Sequence, residues 1–330
     1  MDGQVWRQEN GSLMNSRVLT IAVVAAVGVA SLASGSAAAS TGAVAASLSS
    51  HVWGTAEEVP GTAALNQGGD AGITSVSCAA AGNCTAGGFY LDSSGHVQAF
   101  VASQVNGTWG TAIEVPGTAA LNQGEGGTFI TSVSCGAAGT CSAGGDYLDS
   151  SLRQQAFVVS QVNGTWRTAI EVPGTAALNR GRSARIASVS CASAGNCSAG
   201  GNYAPSFGRG QAFVVSQVNS TWRTAIEVPG TAALNQGGSA GIASLSCASA
   251  GNCSAGGFYK DSSGHAQAFV VGQVNGAWRT AIEVPGTPAL NQGGSAGIAA
   301  VSCASAGTCS AGGSYADGAG HGQAFVDSET

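Results

Sequence analysis

Lysine is almost absent from this chain. Of 330 residues only Lys260 is one, and Lys and Arg together number 11 against 17 Asp and Glu. The net charge of −6 leaves no basic footprint for nucleic acid. Charged residues of both signs make up only 8% of the chain. Long apolar runs are missing too, apart from one near the start, so no membrane span is expected in the mature protein. Disorder usually accompanies low hydrophobicity and high charge, whereas here apolar residues reach 44% and recur at regular places. Gly, Ala, Ser, Thr and Val dominate what is present, a composition that argues against a helical protein.

The single apolar run extends from Val18 to about Ala33. Arg17 precedes it and the small residues Ser34 to Ser40 follow, the order of a secretory signal. Cleavage is expected after Ala39, with Ala43-Val44-Ala45 as a second site and Met14 as an alternative start. Residues 1–46 are therefore read as signal peptide and leader, and residues 47–330 as one domain of an exported, extracellular protein.

That domain repeats. Trp53, Trp109, Trp166, Trp222 and Trp278 recur at a step of about 56 residues. Each unit predicts four short strands, in the first copy a (Ile73 to Cys78), b (Cys84 to Leu91), c (Val97 to Val105) and d (Thr108 to Val115). Asn106-Gly107 and its counterpart Asn163-Gly164 suit a type I′ turn between c and d. The d–a link reads as a longer polar loop. Four antiparallel strands per unit predict an all-β fold, a five-bladed β-propeller. Small residues in a and b and bulky ones in c and d suit wedge-shaped blades. In strand d the alternation puts Trp109, Thr111, Ile113 and Val115 on one side, with Ile113 opposite Phe100. The first copy of strand d, Trp53 to Val59, stands alone, and the last unit offers only a, b and c. The ring is therefore expected to close by that N-terminal strand completing the last blade.

Ten cysteines form five pairs, Cys78/Cys84, Cys135/Cys141, Cys191/Cys197, Cys247/Cys253 and Cys303/Cys309. Each spans an a–b hairpin in an exported chain, which predicts disulfides. Cys-x5-Cys lies outside the usual zinc spacing and no His recurs beside it. No metal or cofactor is expected.

Ser160-Gln161-Val162-Asn163-Gly164-Thr165-Trp166 resembles the Asp-box of sialidase-like propellers, without its Asp and one residue off in spacing. The likeness implies blade geometry and no catalysis. The unit as a whole is similar to repeats of secreted bacterial proteins that mostly lack an assigned role. At the level of architecture the array is similar to the five-bladed tachylectin-type lectins, which implies one sugar site per blade.

The b–c and d–a loops are expected on one face and the tight turns on the other. The first face would collect Asn66, Asn122, Asn179, Asn235 and Asn291, with Tyr90, Tyr147, Tyr203, Tyr259 and Tyr315 at the ends of strand b. A slot in the b–c loops holds His96, Arg153, Arg209, His265 and His321. Rings beside amide, imidazole or guanidinium groups suit a polar ligand such as a sugar. The third blade departs from its siblings with Arg180, Arg182 and Arg185 in its d–a segment, which predicts a basic patch together with Arg209. The recurring Glu58, Glu114, Glu171, Glu227 and Glu283 occupy one equivalent outer position and read as solvated charges rather than an asymmetric catalytic pair. The expectation is a monomeric, non-enzymatic propeller holding carbohydrate or another cell-surface ligand multivalently. A structural or protein-interaction propeller is the alternative, and a glycoside hydrolase the third.

Overall fold

The first blade opens at Ala71–Ala80 (strand a), turns into Asn83–Leu91 (b) and Val97–Val105 (c), and ends in a broken strand d, Thr108–Trp109 and Ile113–Glu114. All neighbours pair antiparallel in the order a, b, c, d. This is a computed structural model, and it describes residues 53–124 and 126–329. Three further blades repeat the pattern, with strand a at Phe129–Ala137, Ala184–Ser193 and Ala240–Ser249, and a fifth begins at Ala296–Ser305. The chain is an all-β array of five propeller blades. Residues 1–46, read above as signal peptide and leader, lie outside the described residues. Among those described, no helix is long and apolar enough to cross a membrane.

The turns follow their residues. Asn106 and Gly107 take φ of 50° and 85°, as a type I′ turn requires. The a–b and c–d turns of one blade touch, with Gly107 N donating to Gly82 O at 2.9 Å. At the opposite end Gly68 N donates to Leu91 O at 2.8 Å, tying a d–a loop to a b–c loop. The two loop faces are therefore sorted as expected. Each d–a loop also holds one helical turn, such as Thr118–Leu121, which the polar sequence did not suggest. Its entry is Gly117 at φ 89°, a conformation costly for any residue with a Cβ. All five cysteine pairs are bonded across their a–b hairpins.

The register of strand d differs from the expectation. Trp109 opposes Gln104, but Ile113 opposes Val101 and Glu114 opposes Phe100. One extra residue between Gly110 and Ile113 shifts the ladder, and a one-residue shift turns side chains to the other face. Ile113, just after the shift, is exposed, while Val115, beyond the strand's last residue, is fully buried.

The apolar layers lie between blades. One layer joins Ala156, Val158 and Val172 of the second blade to Ile186, Val189, Tyr203, Phe213 and Trp222 of the third. The same set recurs one step earlier and one step later. At the inner strands Val133 N and Cys135 N donate to the Ser75 and Ser77 hydroxyls of the preceding blade, at 2.9 and 3.0 Å. Equivalent pairs join every successive blade up to Val301 N with Ser244 and Cys303 N with Ser246. Serine here lets two inner strands approach and satisfies an N–H that would otherwise be orphaned.

Ring closure as expected is not made. The fifth sheet has three strands among the described residues, Ala296–Ser305, Thr308–Ala316 and Gly322–Ser328, and Trp53 to Val59 forms no strand. Pro60 instead sits against the first blade, where its carbonyl accepts Ala112 N at 2.7 Å. Pro116, Pro173 and Pro229 hold the following blades in the same way. The N-terminal segment thus occupies the place of a preceding blade's outer strand, but its pairing with the last sheet is missing.

Candidate functional site

Within strand b the sequence Ala-Gly-Gly-x-Tyr occurs five times, with x being Phe89, Asp146, Asn202, Phe258 and Ser314. Alternation decides what each position meets. In the second to fourth blades the tyrosine turns into the apolar layer shared with the preceding blade, and x turns towards the next blade.

The tyrosines are therefore core residues, contrary to the expectation that they line a ligand site. Tyr90, Tyr147, Tyr203 and Tyr259 are buried, and Tyr315 is half-buried. Tyr203 meets Phe213 edge-on at 6.3 Å between ring centroids, a favourable aromatic geometry. Tyr90 and Tyr147 donate their hydroxyls to Glu114 and Glu171, at 3.2 and 3.3 Å. Burial, then the neighbouring glutamate, pushes these phenols well above their usual range. The glutamates are braces rather than merely solvated charges: Glu171 also accepts Thr175 Oγ1 at 3.2 Å, tying the helical turn to strand d.

The loop asparagines are likewise turned inward, although Asn235, whose Nδ2 donates to Gly210 O, leaves its buried Oδ1 without a partner among the described residues. Asn179 Nδ2 donates to Gln155 Oε1 and to Gln154 O, both at 2.9 Å, while its Oδ1 accepts Ser183 N at 2.8 Å. In the b–c turns Asp261 accepts the backbone N–H of Ser263 and His265 and the Gln267 amide. Those bonds, Gln267 foremost, hold its carboxyl below the usual range. The nitrogen-bearing slot remains on the loop face. Arg153, Arg209, His265 and His321 are exposed and His96 is half-buried. His321 Nδ1 lies 3.6 Å from Asp317 Oδ2. Arg209 packs over Gly238 and His265 over Gly294, so each leans on the d–a loop of the following step.

The basic cluster of the third blade is split. Arg180 and Arg182 are exposed in a loop whose Gly181 N donates to Ala204 O, while Arg209 leans the other way towards the fourth blade. Arg185 lies in strand a and donates Nε to Asn202 Oδ1 at 3.1 Å.

Arg185 belongs to a row that the sequence reading missed. Each x is paired with one residue of its own strand a: Gly72 with Phe89, Phe129 with Asp146, Arg185 with Asn202, and Gly241 with Phe258. Across the first step Phe89 meets Phe129 at 5.7 Å between centroids. Asp146 is buried, accepts Gln154 Nε2 at 2.8 Å, and lies within the field of Arg185. Two rings, a carboxyl, a guanidinium and an amide thus follow one another across three successive blades at the loop-face end of the inner strands. The signal was present in the repeat, because x is the one position that changes inside an otherwise constant motif.

Burial raises the Asp146 carboxyl above the ordinary range, against the lowering effects of Gln154 and Arg185. An acid whose folded pKa is raised disfavours the folded state once it ionises. Stability on its account is full below about pH 4, its unfolded value, and falls as pH rises through the folded value. Asp146→Asn should therefore raise the melting temperature at pH 7 and lose that advantage near pH 3. A variant equally or less stable at both pH values would contradict this account of the site.

No protein-family model matches the chain, and no curated protein does. Solved structures do resemble it. The Hadza microbial sialidase Hz136 aligns over 84% of this chain at 12% identity with a TM-score of 0.43, and the chain spans 57% of that protein's length. A Trypanosoma rangeli sialidase aligns over 78% of the chain and 45% of its own length, at 11% identity and a TM-score of 0.38. The GH62 α-L-arabinofuranosidase of Coprinopsis cinerea aligns over 78% and 91%, at 9% identity and a TM-score of 0.35. These proteins are enzymes, and the expectation of a chain without catalysis is corrected accordingly. At such identities no activity is carried over from them to this chain.

Proposed function

We propose that this chain is exported and binds a carbohydrate across the row formed by Phe89, Phe129, Asp146, Arg185 and Asn202. The observation that carries the reading is the juxtaposition of two rings with a carboxyl, a guanidinium and an amide across adjoining blade steps. Sugars present both an apolar C–H face, suited to a ring, and hydroxyls, suited to those polar groups. The b–c slot residues, Arg209 and His265 among them, stand on the same face and are available to a longer glycan. Because the row differs from blade to blade, binding belongs to one composite site rather than to five equal ones. Five disulfides support an oxidising, extracellular setting.

A glycan array followed by calorimetry tests this, with chromatography of each bound glycan to register any cleavage. The expected stoichiometry is near one per chain. Phe129→Ser and Arg185→Ser should each weaken binding by about tenfold, the equivalent of about 1.4 kcal/mol. Five equal sites, or affinity untouched by both substitutions, would refute the composite site. Silence across the array would favour a protein partner.

A further inference from the structure

Every step of the array seats a knob in a hole. Ile130 of the second blade packs where a Cβ on Gly87 of the first would stand, and Ile186, Ile242 and Ile298 relate in the same way to Gly144, Gly200 and Gly256. All four isoleucines are at most 4% exposed. Beside them Val133, Val189 and Leu245 are buried as well, against a preceding strand c whose Val101, Val158 and Val214 are fully covered.

One knob and one hole are left over. On the first blade Ile73 and Val76, which occupy the knob positions, are 43% and 56% exposed. On the fifth blade nothing from another blade lies within 4 Å of where a Cβ on Gly312 would stand, and Val326, at the place of Val101, is 86% exposed. The serine acceptor is half kept: Ser302 stands where Ser77 does, and Ala300 replaces Ser75. The fifth sheet also lacks its strand d among the described residues. The first blade carries Ala56–Pro60, which has the position and nearly the sequence of the end of such a strand.

We propose that these two faces bind each other between copies of the chain, the first blade of one molecule seating on the fifth blade of the next. Within one copy the four made steps leave the two ends apart. A second copy seating its first blade there would repeat the made steps unaltered, covering Ile73, Val76 and Val326, which are exposed within one copy. The contact would bury Ile73 and Val76 against Gly312 and Val326 and bring Glu57–Val59 beside the edge of Gly322–Ser328. It is a heterologous interface, so it propagates into a larger ring or a filament instead of stopping at two.

Sedimentation of the full chain over a range of concentrations gives the first readout, with mass rising to multiples of the monomer. Gly312→Val has room within its own copy, since its new side chain meets no other blade, yet fills the hole. Ile73→Asp spoils the knob. Each variant alone should stay monomeric with an unchanged far-UV spectrum. Their equimolar mixture should form dimers and go no further, because each retains one good face. A wild-type chain monomeric at every concentration would overturn the proposal, and so would assembly that survives Gly312→Val. A monomer with a smaller hydrodynamic radius than that of Gly312→Val would assign the same two faces to closure within one chain.

Discussion

Gly201→Ala should lower the stability of this protein by about 3 kcal/mol or more, the range reached when an added group cannot be relieved by side-chain motion. A Cβ at Gly201 runs into the carbonyl oxygen of Arg185. Strand a bulges between Ile186 and Ser188 and presses its backbone onto the second glycine of the Gly-Gly pair. The obstacle is main chain held by a ladder, so neither partner can step aside. Gly272→Ala is the control, because nothing lies closer than 4.0 Å to its new carbon. Thermal unfolding followed by circular dichroism compares the two, and equal melting temperatures would dismiss the steric account.

Reduction should have an effect of similar or greater size. Each bond closes a loop with a sequence separation of 6, worth about 2 kcal/mol in the chain-entropy view. Five such bonds acting independently come to roughly the whole stability of an ordinary domain. The fully reduced and alkylated chain should therefore lose its β spectrum at or a little above room temperature. Removing one bridge, with Cys191 and Cys197 both changed to Ser, should cost about 2 kcal/mol and leave the fold intact. Cys141, Cys197 and Cys253 lie in the buried inter-blade layers, so reduction without denaturant should be slow. A reduced chain that melts with the oxidised one would remove the bridges from the stability account.

Strands, tight turns and cysteine pairing were legible because each depends on neighbours in sequence. Asn106-Gly107 dictates its c–d turn without help, and Cys78 and Cys84 face each other once the short a–b hairpin forms. Strand d was misread by one residue because nothing in Gly110-Thr111-Ala112 announces a bulge. Trp53 to Val59 was correctly recognised as the twin of Trp109 to Val115. The twin identifies which slot it suits, but not whether four intervening steps bring that slot within reach. The tyrosines misled for a geometric reason. An aromatic residue at a strand end beside a loop looks available, and only the Gly-Gly pair before it shows which side of the strand is roomy. Asp146 and Phe129 went unnoticed because the eye followed what repeats, whereas the candidate site lies in what does not.

Placing each apolar layer between two blades has a consequence for how such a chain can change its length. The segment duplicated in the gene is not the segment that completes a core, since Val158 belongs to one copy and Ile186 to the next. A recombination that gains or loses one period adds or removes one layer and leaves the rest intact, wherever the crossover falls. Copy number can therefore drift without new packing being invented, while the residues at x are free to diverge copy by copy. Only the two outermost blades register the difference, and they are the same two whatever the count.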